Sequence, residues 1–240
     1  MQSKRPIVIL GGMGPQASSN FYKLLIDKST KDYHVVNNDD YPNIILQSLA
    51  VPDFISDRTR QAEAIHQMRQ AVSLSKPANP LAISMACNTA HLFVDEIKIN
   101  DNLNFVSLID VVADSAKSAG IKKVGLMASP VTIATGLYSD ALKKQGIKVV
   151  TPAKADQQTT ESVIRAVIAG QAGAGEAAKL ADISEKLIGR GAEGIILGCT
   201  ELPLVFNVLA PDYPVFDCLD LLADELLSRY YREYAILGQR

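Results

Sequence analysis

Short apolar runs alternate along this chain with longer stretches in which apolar residues recur every three or four positions. Ile7–Leu10, Asn43–Leu46, Leu81–Met85, Val106–Leu108, Val124–Met127, Lys148–Val150, Gly194–Leu197 and Val215–Phe216 have the length and composition of buried strands. Between them, Arg60–Ser75, Val111–Ala119, Ser139–Gln145, Ser162–Ile168 and Glu176–Arg190 carry the spacing of amphipathic helices, and Leu219–Tyr234 reads as a last helix. Strands that alternate with helices imply parallel sheets joined by helical crossovers, so the fold class predicted is α/β. The glycine-rich Gly170–Gly175 reads as a turn between two helices and not as a domain linker.

The pattern contains a long-range echo. ISMACNT at residues 83–89 and IILGCT at residues 195–200 share an apolar strand, a small residue, a cysteine and a threonine, and lie close to half the chain apart. Ile7–Gly12 and Val124–Ser129 form a weaker pair at a similar separation. Two related α/β halves are therefore expected, each a parallel sheet flanked by helices; if they face each other, the site lies in the cleft between them. The expected division gives residues 1–102 and 214–240 to the first domain and 103–213 to the second.

Composition narrows the class of partner. A formal net charge of -2 and the absence of any Lys/Arg run provide no field for nucleic acid or an anionic membrane. No apolar run approaches the ~20 residues of a membrane span, and the first residues do not resemble a secretory signal. A cytoplasmic protein with a small-molecule partner is expected. Three cysteines, Cys87, Cys199 and Cys218, are then read as free thiols before disulfides.

Cys87 and Cys199 each stand where a buried strand ends and a helix is expected to begin, the end at which open α/β sheets bind ligands. A helix N-terminus there would favour thiolate over thiol. For a lone cysteine, inert packing is the ordinary reading; two in equivalent positions suggest chemistry. Facing each other across a cleft, they would suit inversion of a stereocentre, one sulfur removing a proton from one face and the other delivering a proton to the opposite face. An amino-acid α-proton is weakly acidic, so donors must stabilise the carbanion; Asn88, Thr89, Thr200 and the turn amides are placed to do so, with plain helix capping as the alternative. His91, four residues after Cys87, invites a Cys/His pair but reads better as a capping or core histidine, since no further ligand spacing completes a metal site. Cys218 reads as packing, Glu201 as a brace for the helix start, and His34 and His66 have no partner pattern.

The turn after Ile7–Leu10 formally matches a dinucleotide fingerprint at Gly12, Gly14 and Ala17. That mode needs an acidic residue at the end of the second strand, where this chain has Gln47 and Ser48. A turn bringing backbone close to a carboxylate accounts for the glycines as well.

GGMGP at residues 11–15, ACNTAH at 86–91 and GCTELP at 198–203 resemble the three signature segments of the aspartate/glutamate racemase family, in its aspartate racemase branch. The resemblance spans nearly the whole chain. It implies two pseudo-symmetric domains, no pyridoxal phosphate or other cofactor, no metal, and a homodimer. It assigns Cys87 and Cys199 as the acid/base pair, and Met13, Asn88, Thr89 and Thr200 as substrate contacts; Thr132, in the turn after Met127, is a further candidate contact. Ser56-Asp57-Arg58-Thr59 resembles a segment whose arginine binds the substrate's side-chain carboxylate, so Arg58 is the candidate selector for aspartate, ahead of glutamate. The chain departs from the family after Met127, where ASPVT replaces a Gly-Thr turn, and at Ile168, where aspartate-specific members carry a lysine. Arg165, one helical turn earlier, could replace that lysine. Two rivals are a non-catalytic two-lobed protein that closes on a small carboxylate, and a nicotinamide-dependent oxidoreductase.

Overall fold

The computed structural model describes residues 4–53, 59–98 and 103–235. The first half runs β1 (Ile7–Gly11), α1 (Pro15–Tyr33), β2 (Ile44–Ser48), α2 (Gln61–Ser75), β3 (Ala82–Met85) and α3 (Val94–Ile97). The second runs α4 (Leu108–Ser118), β4 (Lys123–Ala128), α5 (Pro130–Ala134), α6 (Leu137–Lys144), β5 (Lys148–Val150), α7 (Lys154–Ile168), α8 (Ala174–Gly189), β6 (Ile195–Gly198), α9 (Pro203–Phe206), β7 (Val215–Asp217) and α10 (Cys218–Ala235). The strands form two parallel sheets, ordered β2-β1-β3 and β5-β4-β6-β7. The α/β class with parallel, helix-flanked sheets is thus as the apolar pattern predicts.

Strand alternation sorts the core into three layers. Ile7 and Ile9 of β1, Val124, Leu126 and Ala128 of β4, and Ile196 of β6 enter one shared cluster with α1, α4 and α10. The opposite residues of the first sheet, Val8, Leu10, Ile83 and Met85, pack on α2. Those of the second, Met127, Ile195 and Leu197, pack on α7 and α8. Each of these large side chains contributes about 1.5–3 kcal/mol by leaving water, so the central strands are buried on both faces and hold their register firmly.

Several local expectations change. Val106–Leu108 is no strand: Phe105 makes one bridge to Ile83, and Ser107 then caps α4 by accepting from the Asp110 amide at 3.2 Å. Val106 and Leu108 are apolar because they enter the shared cluster at a helix start. Helix α1 escapes the apolar pattern because Ser18 and Ser29 are buried on its core face beside Ala17, Phe21 and Leu25. Both serine hydroxyls are satisfied by donating to the carbonyls four residues back, Ser18 to Gly14 at 2.9 Å and Ser29 to Leu25 at 2.7 Å. Strand β7 extends the second sheet, while α10 packs on α1 and α4 alike. Among the described residues, no helix is long and apolar enough to cross a membrane.

Candidate active site

Cys87 follows β3 by two residues and Cys199 follows β6 by one. Each continues the alternation of its strand: Cys87 joins the layer of Ile83 and Met85, and Cys199 that of Ile195 and Leu197. The two sulfurs therefore hold corresponding places in the two sheets, on the faces turned away from the shared core. Negative charge at Cys87 is felt at Cys199.

Where a helix is expected to begin after each cysteine, the chain forms only short helical elements. After Cys87 come a 3-10 turn over Thr89–Phe93 and the one-turn α3; after Cys199 comes the four-residue α9. Such short elements carry little dipole, and burial dominates instead. It pushes the Cys87 thiol up to about 12, against the opposing pull of the Ala90 and Thr89 amides. The Cys199 thiol is raised well above its ordinary value, first by burial and then by the Glu201 carboxylate. The expectation of a depressed pKa is corrected: burial favours the neutral thiol at both positions.

Glu201 links the two halves. It is buried, and its carboxylate accepts from the Cys199 thiol at 3.0 Å, the Thr200 hydroxyl at 3.0 Å and the Gly14 amide at 3.1 Å. It is thus a partner of the cysteine and of the first loop, and more than a brace for the helix start. Its place two residues after Cys199 was legible in the sequence; its reach across to Gly14 was not.

The glycine loop fits this junction. Gly12 has φ +87°, and an added Cβ would meet the Leu49 backbone at 2.4 Å. Its amide donates to Ser18 Oγ at 2.8 Å. With the Gly12 amide on Ser18 and the Gly14 amide on a carboxylate, a pyrophosphate would meet negative charge where it needs donors. The dinucleotide reading of these glycines has no support in this geometry.

A cavity of about 180 Å³ opens between the first loop, the segment after β2, Cys87 and α7. Met13 and Cys87 line it, together with Val51, Pro52, Asp53, Arg165 and Ile168. Cys199 is set back from its wall. Asn88, Thr89, Thr132 and Thr200 do not line it either; all four are buried and bonded to protein. Thr89 Oγ1 lies 2.9 Å from Thr132 Oγ1 and 3.0 Å from Ser129 Oγ, joining the Cys87 turn to the turn after β4. The Asn88 amide donates to Cys218 at 3.3 Å, and its carbonyl accepts from Tyr138. Arg58 lies outside the described residues.

His91 is a strut. Its Nε2 accepts from the Leu108 amide at 3.0 Å, which leaves Nδ1 to donate to the Cys87 carbonyl at 2.8 Å. Burial lowers its pKa to about 4, so the ring is neutral and fixes the Cys87 turn to the start of α4. Cys218 is fully buried and packs in the shared core. No group of three or more His, Cys, Asp or Glu able to hold a metal occurs among the described residues.

Fold and site together define a class: an α/β protein in which two parallel sheets each end in a buried cysteine, with Cys87 lining a cavity. The family model for Asp/Glu/Hydantoin racemase matches residues 10–226. The chain belongs to that family, whose members are isomerases acting on amino acids without pyridoxal phosphate, and the resemblance carried by the three sequence segments is borne out. The chain is 29% identical to the broad specificity amino-acid racemase RacX of Bacillus subtilis (strain 168), over 93% of this chain and 97% of that one. Picrophilus torridus aspartate racemase superposes with a TM-score of 0.80 at 25% identity, covering 94% of both chains. An aspartate racemase homologue from Pyrococcus horikoshii OT3 gives 0.79 at 27%, covering 94% of this chain and 99% of that one.

Proposed function

We propose that this chain racemises a free amino acid without a cofactor, with Cys87 and Cys199 as the two acid/base groups. The observation that carries the reading is the equivalent placement of the two sulfurs, one beyond the end of a central strand in each sheet, with the second already directed at a carboxylate.

One sulfur enters as thiolate and takes the α-proton; the other, as thiol, gives a proton to the opposite face, and the roles exchange in the reverse direction. The raised thiol pKa values make each thiolate scarce at neutral pH, yet a stronger base once formed. Glu201 is positioned to receive the Cys199 proton. Backbone amides that reach Cys87 from Thr89 and Ala90 supply preorganised donors at the same spot. Met13, Asn88, Thr89, Thr132 and Thr200 shape the carboxylate end of the substrate, the last four through the turns they lock more than through free side-chain donors. A homodimer, a cytoplasmic location and an acidic substrate, aspartate ahead of glutamate, come from the resemblance, and the last would depend on Arg58.

The test is incubation of dialysed, metal-chelated protein with single enantiomers of an amino-acid panel, followed by chiral chromatography. The proposal predicts approach to an equal mixture from either enantiomer with nothing added. Tight binding of an amino acid with no inversion of any would replace it with the two-lobed binding protein. A strict need for pyridoxal phosphate or nicotinamide would also overturn it.

A further inference from the structure

We infer that Ser129, Tyr138 and Cys218 of the second half are positioning residues for Cys87, forming a socket that seats the turn carrying this sulfur. The inference rests on the racemase reading above and concerns how that site holds one of its two acid/base groups.

The turn after Cys87 has little of its own to fix it. It is a 3-10 stretch, Thr89–Phe93, followed by the one-turn α3, so no long helix sets the direction of the sulfur. Its first side chains are bonded across to the other half instead. Thr89 Oγ1 lies 2.9 Å from Thr132 Oγ1 and 3.0 Å from Ser129 Oγ, and Ser129 donates to Thr132 at 2.9 Å, closing a triangle of buried hydroxyls. Ser129 also caps α5 by accepting from the Thr132 amide at 3.2 Å, which fixes where the triangle stands. One residue nearer the sulfur, the Asn88 carboxamide is held at both ends, its oxygen by the Tyr138 hydroxyl and its nitrogen by the Cys218 sulfur at 3.3 Å. Burial keeps the Tyr138 phenol neutral and able to donate. All these groups are buried, where a missing partner costs about 1–3 kcal/mol, so the turn is held to one geometry.

The Cys199 turn is held differently. The Leu202 amide donates to the Cys199 carbonyl at 3.1 Å, the Thr200 hydroxyl donates to Glu201 at 3.0 Å, and Glu201 accepts from the Gly14 amide. None of these bonds involves Ser129, Tyr138 or Cys218. Loss of the socket therefore displaces Cys87 and leaves the bonds around Cys199 in place. A reacting group misplaced by about 1 Å can cost on the order of 100-fold in rate.

The test separates the two proton transfers. Racemisation in either direction crosses one transfer at each sulfur. When the Cys87 transfer alone is slowed, the effect of α-deuteration on kcat/KM rises for the enantiomer that Cys87 deprotonates and falls for the other. A general loss of fold lowers the active fraction and moves neither effect. Both are measured on the amino acid that the parent racemises fastest, for the parent, Ser129→Ala, Tyr138→Phe, Cys218→Ala and Cys218→Ser. Tyr138→Phe keeps the ring, which packs so close to Gly198 that an added Cβ there would lie 3.1 Å from it, and removes only the hydroxyl. The first three variants are expected to lose about ten- to a hundredfold in kcat/KM, with the two isotope effects moving in opposite directions and in the same sense in all three. Cys218→Ser keeps an acceptor for Asn88 and is expected to stay within about threefold of the parent. Activity lost with both isotope effects at parent values, or kept in all three variants, overturns the inference while the racemase reading stands. The rate of iodoacetamide labelling at Cys87 relative to Cys199 answers without turnover: release of the turn exposes the buried sulfur and should raise that ratio by about threefold or more in the same three variants. A parent that inverts no amino acid overturns the racemase reading, and an unchanged labelling ratio would then overturn the socket as well.

Discussion

At the residue scale, the chemistry turns on how burial treats three thiols. Cys87 and Cys199 are 5% and 6% exposed and Cys218 is 0% exposed, so the first two alone have a path to reagent. Limiting iodoacetamide followed by peptide mapping is expected to modify Cys87 or Cys199 ahead of Cys218, slowly at neutral pH and faster as pH rises, because the thiolate is the reactive form. Early labelling of Cys218 would contradict this. Glu201 gives a sharper expectation. Its carboxylate raises the Cys199 pKa both through space and by accepting the thiol proton. Glu201→Gln removes that charge, so the rising alkaline limb of kcat/KM should move to lower pH in the variant. An unchanged or upward-shifted limb would show that Glu201 does not control this thiol. Of these residues, the two cysteines were legible in the sequence through their repeated context. Glu201 was visible only as a neighbour, since its bond to Gly14 spans residues that no local pattern relates.

At the scale of elements, the site is held by bonds between turns. Tyr138 of α6 is fully buried and donates to Asn88, whose amide is held in turn by Cys218. Tyr138→Phe leaves the Asn88 carbonyl oxygen without its partner inside the core and is expected to cost about 1–3 kcal/mol of stability, read by urea unfolding; a loss below about 0.5 kcal/mol would contradict this role. His91 offers a test through pH. Its folded pKa of about 4 lies below its ordinary 6.5, so the unfolded chain binds the extra proton. Its contribution is complete above pH 6.5 and is lost as pH falls toward 4, by ~3 kcal/mol in all. His91→Gln should remove that share of the acid destabilisation, and equal pH slopes in parent and variant would contradict the assignment. Apolar spacing located most elements, and it failed where side-chain bonds overrule it. Buried serines disguised α1, a serine cap turned Val106–Leu108 into a helix start, and the helices expected to begin after each cysteine are short turns.

At the scale of the molecule, two parallel sheets share one core and present two strand ends at a common junction. The echo between residues 83–89 and 195–200 made that symmetry readable, because repeated strand-turn sequences impose the same alternation on both cysteines. The exact membership of the last elements was less readable: β7 joins the second sheet, and α10 spans both halves. The ion pair from Asp53 to Arg165 and the bond from Glu201 to Gly14 both join the first half of the chain to the second. The central claim is that two opposed sulfurs move the protons. Its most direct measurement is α-deuterium incorporation and chiral inversion in D₂O by the parent, Cys87→Ser and Cys199→Ser, starting from each pure enantiomer and with folding checked by circular dichroism. The account predicts that the parent yields inverted product carrying deuterium, and that each folded variant loses at least about 100-fold in inversion, the lower end of what a positioned acid or base supplies. A folded variant that keeps more than roughly a tenth of the parent's inversion rate would remove that cysteine from the mechanism.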